Sequence, residues 1–309
     1  MINKAVFTHW SNTVYLNRYC GFNNKKDFFY SFGLALFCAR SFFPKVILYT
    51  DKNGLRDIEP FRQLIDEVYT DIEVLNTQNI PRSLWAYPKI ITYSLQEDPF
   101  LHIDNDVFLW EKPKIKFLEQ ELVCQSIEYK MQMYNFCFKR ILNSPLRSSI
   151  FKNLFLFKKL CYLFKRKKNH QNPILTPNFG VFGGNDVTFI QKYAKNVLDI
   201  LSIKKNKEYL NKHDLGDSFN AIFEQWIFSQ MAFNENKKIT PLLKPPPGYI
   251  ICNEIDPKNA KSIYNAPDQV KYTHLVAGSK RDPSISIKVE NKVKSFFPQK
   301  IINMINNNI

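Results

Sequence analysis

"PFLHIDNDVFLWEKP" (residues 99–113) sets two aspartates, Asp104 and Asp106, inside an otherwise apolar run. Phe100, Leu101 and Ile103 precede the pair, and Val107, Phe108, Leu109 and Trp110 follow it. A short apolar run of this kind predicts a strand covered on both faces. Two carboxylates in such a place are costly unless a counter-charge or a metal ion holds them. Side chains two apart on a strand share a face, so both can look into one site if the strand ends there. Asp-x-Asp alone is a weak signal, and salt-bridged or solvated loop aspartates are the alternative.

Upstream, strand and helix signals alternate. "KAVFT" (4–8) predicts a strand, residues 25–43 a helix that is apolar nearly all round, and "KVILYTD" (45–51) a second strand. A Pro-interrupted helix, a third strand at "VYTDI" (68–72) and a helix over residues 83–96 then lead into the aspartate run. Alternation at this spacing predicts βαβ units and a largely parallel sheet. Ligands bind such sheets beyond the carboxyl ends of the strands, which is where Asp104 and Asp106 would sit.

Downstream of Pro113, "ELVCQSIEY" (121–129) predicts a strand, and "TPNFGVFGGND" (176–186) a strand whose glycines allow close backbone approach. Asp186 can cap a helix over residues 187–203, and "DSFNAIFEQWIFSQMAF" (217–233) predicts another. "KYTHLVAGSKRD" (271–282) is a late strand running into a loop. The expected architecture is α/β: a Rossmann-like mixed sheet flanked by helices, forming a single domain over residues 1–285. A basic helical insertion at about 128–172 and a basic, Asn-rich tail over 286–309 complete it.

Composition narrows the classes. A chain of 309 residues, 45% hydrophobic, can fill a sizeable core. Its six cysteines lie far apart without a CxxC pair, which points to reduced thiols rather than a zinc ribbon or disulfide scaffold. Neither a Walker A motif nor a GxGxxG fingerprint is present, so ATPase and dinucleotide-enzyme readings fall away. "MINKAVFTHWS" lacks a long apolar segment, and the apolar stretch 28–43 is below spanning length and carries Arg40. A cytoplasmic location is expected.

The net charge of +15 is concentrated. Residues 138–170 hold ten Lys or Arg and no acid, interleaved with Phe138, Phe151, Phe155, Phe157 and Phe164. Basic residues mixed with Phe and Leu suit an anionic leaflet, which would make the protein peripheral on the inner face of the membrane. A core-packed helical insertion is the second reading. Nucleic acid, attracted by the same charge, is not the expected partner.

Oxygen ligands suit Mg²⁺ or Mn²⁺, whose remaining coordination comes from water and substrate phosphates. His274 is a further candidate ligand, although a His after a strand is often an ordinary core or surface residue. Beyond it Gly278 permits a tight loop and Lys280 offers a point charge, a pairing that fits a diphosphate held against a metal.

Taken in order, the N-terminal α/β segment, the strand ending in "DND", "NFGVFGG", the "EQ" helix and the late "H…G…K" loop resemble the metal-dependent GT-A glycosyltransferases. The resemblance is greatest to the family-8-like group that contains glycogenin and bacterial galactosyl- and glucosyltransferases, and it spans roughly residues 4–282. It implies that Asp104, Asp106 and His274 bind Mn²⁺ or Mg²⁺. It further implies that Thr8, His9 and Trp10 line the nucleotide base, and that Asn105, Gly278 and Lys280 serve the donor. Asn178, Gly180 and Gly183 would edge the sugar or acceptor pocket, with Glu224 and Gln225 beside the transferred sugar. The family's late motif has glycine three residues after its His, whereas Gly278 is four after His274, and Arg281–Asp282 stand where it has Pro-Trp. Lys89 is a further donor-side candidate, against the ordinary alternative of a solvated helix charge.

The implied activity is retaining transfer of a hexose from a nucleotide-sugar, a UDP-sugar first, to a glycan, lipid-linked or peptide acceptor. The rival is a non-catalytic basic module for anionic membrane or nucleic acid.

Overall fold

Four strands, β1 (Lys4–His9), β2 (Lys45–Thr50), β3 (Glu67–Tyr69) and β4 (Phe100–Ile103), run parallel, with β1 between β2 and β4. The computed structural model describes residues 1–12, 19–77, 84–129, 131–154, 175–213, 216–243 and 271–307. Against β4 lies β7 (Leu175–Gly184), antiparallel, then β6 (Leu122–Tyr129), antiparallel to β7, and β8 (Ile239–Pro241), parallel to β6. The seven-stranded sheet has the order β3-β2-β1-β4-β7-β6-β8. The expected α/β class and mixed sheet are observed, and the parallel half coincides with the strand–helix alternation.

The run at residues 99–113 is not one strand. It divides into β4 and β5 (Val107–Leu109), and β5 pairs antiparallel with β9 (Tyr272–His274) in a separate two-stranded sheet. Residues 104–106 are the step between the two sheets. Both halves are fully buried, so local hydrophobicity cannot show where the chain changes sheet.

Both faces of the large sheet are covered, which is why its strands lack a clean polar alternation. Ala5 and Phe7 of β1 join a core with α1 (Lys25–Phe42), while Val6 points into a second core on the opposite face. That second core is built with α2 (Ala86–Ser94), α5 (Val187–Ser202) and α7 (Ile227–Asn234). Sandwiched between sheet and further helices, α1 is buried on nearly every side, and Asn24 caps its start by accepting from the Asp27 N–H at 2.8 Å. Asp186 caps α5 in the same manner, accepting from the Phe189 N–H.

Residues 131–154 of the expected insertion form α3 (Met131–Leu142) and α4 (Leu146–Leu154). Cys137, Ile141, Leu146 and Ile150 are buried in the second core, and Phe136 and Lys139 stay exposed. This part of the stretch is therefore core-packed. Residues 155–174, with the Lys165–Arg166–Lys167–Lys168 run, lie outside the described residues.

The expected C-terminal tail is instead two helices, α8 (Pro283–Phe296) and α9 (Gln299–Asn307), that complete the α1 core. Ile285, Val289 and Val293 recur every fourth residue and bury one helical stripe, with Ile301, Ile302 and Ile305 doing the same on α9. Phe296 stacks on Phe37 at 4.5 Å. The many Lys and Asn of this segment occupy the outer faces and masked the stripe in a composition-level reading. No helix among the described residues is long and apolar enough to cross a membrane.

Candidate active site

The step from β4 to β5 is clamped by four hydrogen bonds, to β7, β1, α1 and the residue that follows Tyr272–His274. The Asp104 N–H donates to Gly180 O of β7 (2.9 Å), Asn105 Nδ2 to Thr8 O of β1 (3.1 Å), Ser31 Oγ of α1 to Asn105 O (3.0 Å), and the Leu275 N–H to Asp106 O (3.0 Å). Asn105 is thus a brace for the turn. Because Val107 is the register partner of His274, pairing of β5 with β9 brings His274 beside Asp106.

Ligand atoms of Asp104, Asp106 and His274 lie within 4.8 Å of one another. His274 Nε2 is 3.4 Å from Asp106 Oδ1, and its Nδ1 is 2.8 Å from Gln125 Oε1. An amide oxygen only accepts, so Nδ1 donates to it and Nε2 is the ring nitrogen that faces the aspartates. Two carboxylates and an imidazole nitrogen are a donor set that fits a divalent cation.

Two lysines close the site. Lys280 pairs with Asp106 and donates to Cys20 O at 3.1 Å. Lys89, expected as a solvated charge under one reading, is buried between Asp104 (2.8 Å) and Glu224 (2.5 Å). Burial alone would raise the pKa of Asp106, but Lys280 and His274 more than offset it and hold the carboxyl below the usual range. Burial, reinforced by the Asp106 charge, instead raises Asp104 despite Lys89. Glu224 is likewise raised by burial, with Lys89 opposing.

Glu224 sits on a π-helical turn, Ile222–Trp226, between α6 (Gly216–Ala221) and α7. Such a turn displaces carbonyls from the helical ladder, and Tyr193 OH donates to two of them, Phe223 O (3.0 Å) and Glu224 O (2.6 Å). Asn220 Oδ1 accepts from the Ala86 N–H at the start of α2, tying the helix of Lys89 to the segment of Glu224. Gln225 is buried beside Glu224 in the chain.

The remaining candidates are placed as follows. Thr8 Oγ1 lies 3.0 Å from His102 Nε2 and donates to Thr92 Oγ1 at 2.9 Å, on the Lys89 side of the sheet. His9 points to the other side, among Phe28, Phe29 and Phe32, with Nε2 3.1 Å from Asp57 Oδ2. Trp10 is buried and donates from Nε1 to Asn76 Oδ1 at 2.8 Å. Asn178 accepts from the Gly180 N–H and donates to Glu128 Oε1 at 2.7 Å. Gly278 has open space where a Cβ would stand, so no contact there requires glycine. Gly183 faces Leu101 in the β4–β7 ladder, toward the end of β4 remote from Asp104, and a Cβ would overlap Phe100 O. Its role there is close strand approach.

Residues 3–307 match a family model described as a family of unknown function, DUF6734. The chain belongs to the DUF6734 family. Curated protein sequences contain no match to it. Among solved structures, it is similar to the apo form of mouse xyloside xylosyltransferase 1, at a TM-score of 0.43 and 10% identity, covering 89% of this chain and 97% of that one. A likeness at that level assigns no activity to the DUF6734 chain.

Three polar groups at this site escaped sequence reasoning: His102, Gln125 and Tyr93. His102 is buried beneath Asp104, and burial, then Lys89, drives its pKa well down, keeping it neutral. Tyr93 OH is 3.4 Å from Glu224 Oε1, and burial and that carboxylate raise its pKa well above normal. The one available signal was a polar residue at a buried strand position, His102 in "FLHI" and Gln125 in "LVCQSIEY".

Proposed function

We propose that this DUF6734 protein is a metal-dependent glycosyltransferase of the GT-A type. It moves a hexose from a nucleotide-sugar donor, a UDP-sugar first, to a surface glycan or another glycan, lipid-linked or peptide acceptor. The observation that carries the reading is the convergence of Asp104, Asp106 and His274 at the carboxyl end of β4, from segments far apart in the chain. The order of motifs noted in the sequence supports it.

Asp104, Asp106 and His274 would hold the ion. The mixed oxygen and nitrogen set favours Mn²⁺ over Mg²⁺, which prefers oxygen alone. When bound, such an ion neutralises charge developing on a departing nucleoside diphosphate. Lys280, at the same edge, adds a cation to that leaving group. Lys89 opposes the burial-driven rise in the pKa of Asp104 and of Glu224 and so favours the carboxylate form of Glu224 beside the sugar. That carboxylate suits retention, either as the group that meets the anomeric carbon or as one that orients the sugar hydroxyls with Gln225.

The test is a UDP titration with and without Mn²⁺, followed by a screen of nucleotide-sugars for metal-dependent hydrolysis. Metal-dependent UDP binding and turnover of one donor is the expected outcome. Equal UDP affinity with and without metal, and no turnover of any donor, would refute the reading.

A further inference from the structure

From this geometry we infer that Gln125 is a positioning residue that sets the ring of His274 for metal binding. The inference rests on the metal-dependent reading above. Gln125 lies on β6, fully buried, and belongs to none of the motifs that suggested the site. The β6–β7 register shifts between Cys124 and Ser126, at Gln125. An irregularity of this kind re-aims a side chain out of the regular ladder.

Tyr272 and His274 stand two apart on β9 and share a face. Gln125 Oε1 accepts from both, Tyr272 OH at 2.6 Å and His274 Nδ1 at 2.8 Å, across 149 residues of chain in the second case. One oxygen therefore fastens the small sheet to the large one and selects the Nδ1–H tautomer. The Nε2 lone pair that results is the form a metal ligand needs. Among the described residues Gln125 Nε2 is buried with no hydrogen-bond partner, and the oxygen is the atom through which the side chain is tied to β9.

Gly180 makes room for this pair. A Cβ there would overlap Gln125 Oε1 and stand 2.7 Å from His274 Nδ1. The glycine of "NFGVFGG" nearest the site thus has a role in the metal-ligand support, separate from any contact with sugar.

The test measures Mn²⁺ affinity by calorimetry and nitrogen coupling to bound Mn²⁺ by pulsed EPR, without donor or turnover. The proteins are wild type, Gln125→Leu, Gln125→Glu, Tyr272→Phe and Asp106→Asn, each checked for fold by circular dichroism. Gln125→Leu should bind Mn²⁺ about 10–100-fold more weakly and lose the nitrogen coupling. Gln125→Glu, which keeps the acceptor, should hold the ion at least as well as wild type. Tyr272→Phe, which spares the His274 bond, should match wild type. A folded Gln125→Leu that binds Mn²⁺ with wild-type affinity and coupling overturns the inference. If Gln125→Leu does not fold, a folded Gln125→Glu that binds more weakly than Tyr272→Phe overturns it equally. Failure of the underlying reading looks different: wild type and Asp106→Asn then bind Mn²⁺ alike, or not at all.

Discussion

Lys89 Nζ lies 2.5 Å from Glu224 Oε1, joining α2 to the π-helical turn through a contact in which the carboxylate is 1% exposed. The same ammonium is 2.8 Å from Asp104, so one cation on a helix is shared between two carboxylates, one at the sheet edge and one on the π-helical turn. Removing it strands both charges in a buried site. Replacement of one partner of a buried ion pair costs about 3–5 kcal/mol, far more than an exposed pair. Lys89→Met should accordingly lower unfolding stability by about 3 kcal/mol and abolish turnover. The double variant Lys89→Met/Glu224→Gln should recover part of the stability and none of the activity. Urea denaturation checks this, and a single-variant loss below about 1 kcal/mol would show that the contact is not held in solution.

Asp106→Asn keeps the shape of the side chain and removes an anionic ligand. Metal-dependent UDP binding should disappear while the far-ultraviolet circular dichroism spectrum stays unchanged. His274→Ala should weaken Mn²⁺ binding less, because water can enter the vacated position. Calorimetric titration of both variants gives the ranking, and a larger loss in His274→Ala contradicts it.

Asp51 gives the protein an acid-sensitive element away from the metal ligands. It is fully buried at the end of β2 and accepts from the Ser11 N–H (3.0 Å), Ser11 Oγ (2.6 Å) and Asn76 Nδ2 (3.1 Å). Burial alone would raise its pKa, but these bonds outweigh it and the folded value lies below the ordinary 3.8. A depressed folded pKa contributes stability that is complete above the unfolded value and is lost as pH falls through the folded one. Asp51→Asn should therefore be less stable than wild type at pH 7, with the gap narrowing below pH 3.8. Denaturation midpoints from pH 7 down to pH 2 read this out, and a gap that is constant with pH rules out the linkage.

A chain ending at Asp282 lacks α8 and α9. Ile285, Val289, Val293, Ile301, Ile302 and Ile305 would then be missing from the α1 core. Each fully buried aliphatic side chain is worth about 1.5–3 kcal/mol, so the summed loss is comparable to the whole stability of an ordinary domain. The truncated chain should be insoluble or unfolded when expressed. Cooperative thermal unfolding near the wild-type midpoint would instead mark residues 283–307 as a dispensable tail.

The order of strands and helices through β4 was legible because a βαβ unit writes its burial into local periodicity, which "KAVFT" and "KVILYTD" carry plainly. The ligand candidates were legible for a related reason. Asp104 and Asp106 are chemically out of place in an apolar run, and cost makes such residues conspicuous. What local pattern does not encode is the partner. The apolar residues on either side of Asn105 look alike, yet Phe100–Ile103 pairs with β1 and β7 while Val107–Leu109 pairs with β9. Lys89 has the composition of a solvated charge and becomes a buried counter-ion only when α2 meets the turn of Glu224. Gln125 acquires meaning only from Tyr272 and His274 on a strand that arrives late in the chain. Periodicity and residue chemistry thus determined the class, the strand order to β4 and the ligand candidates. Tertiary packing alone decided which charges meet, because long-range contacts leave no trace in the spacing of neighbouring residues.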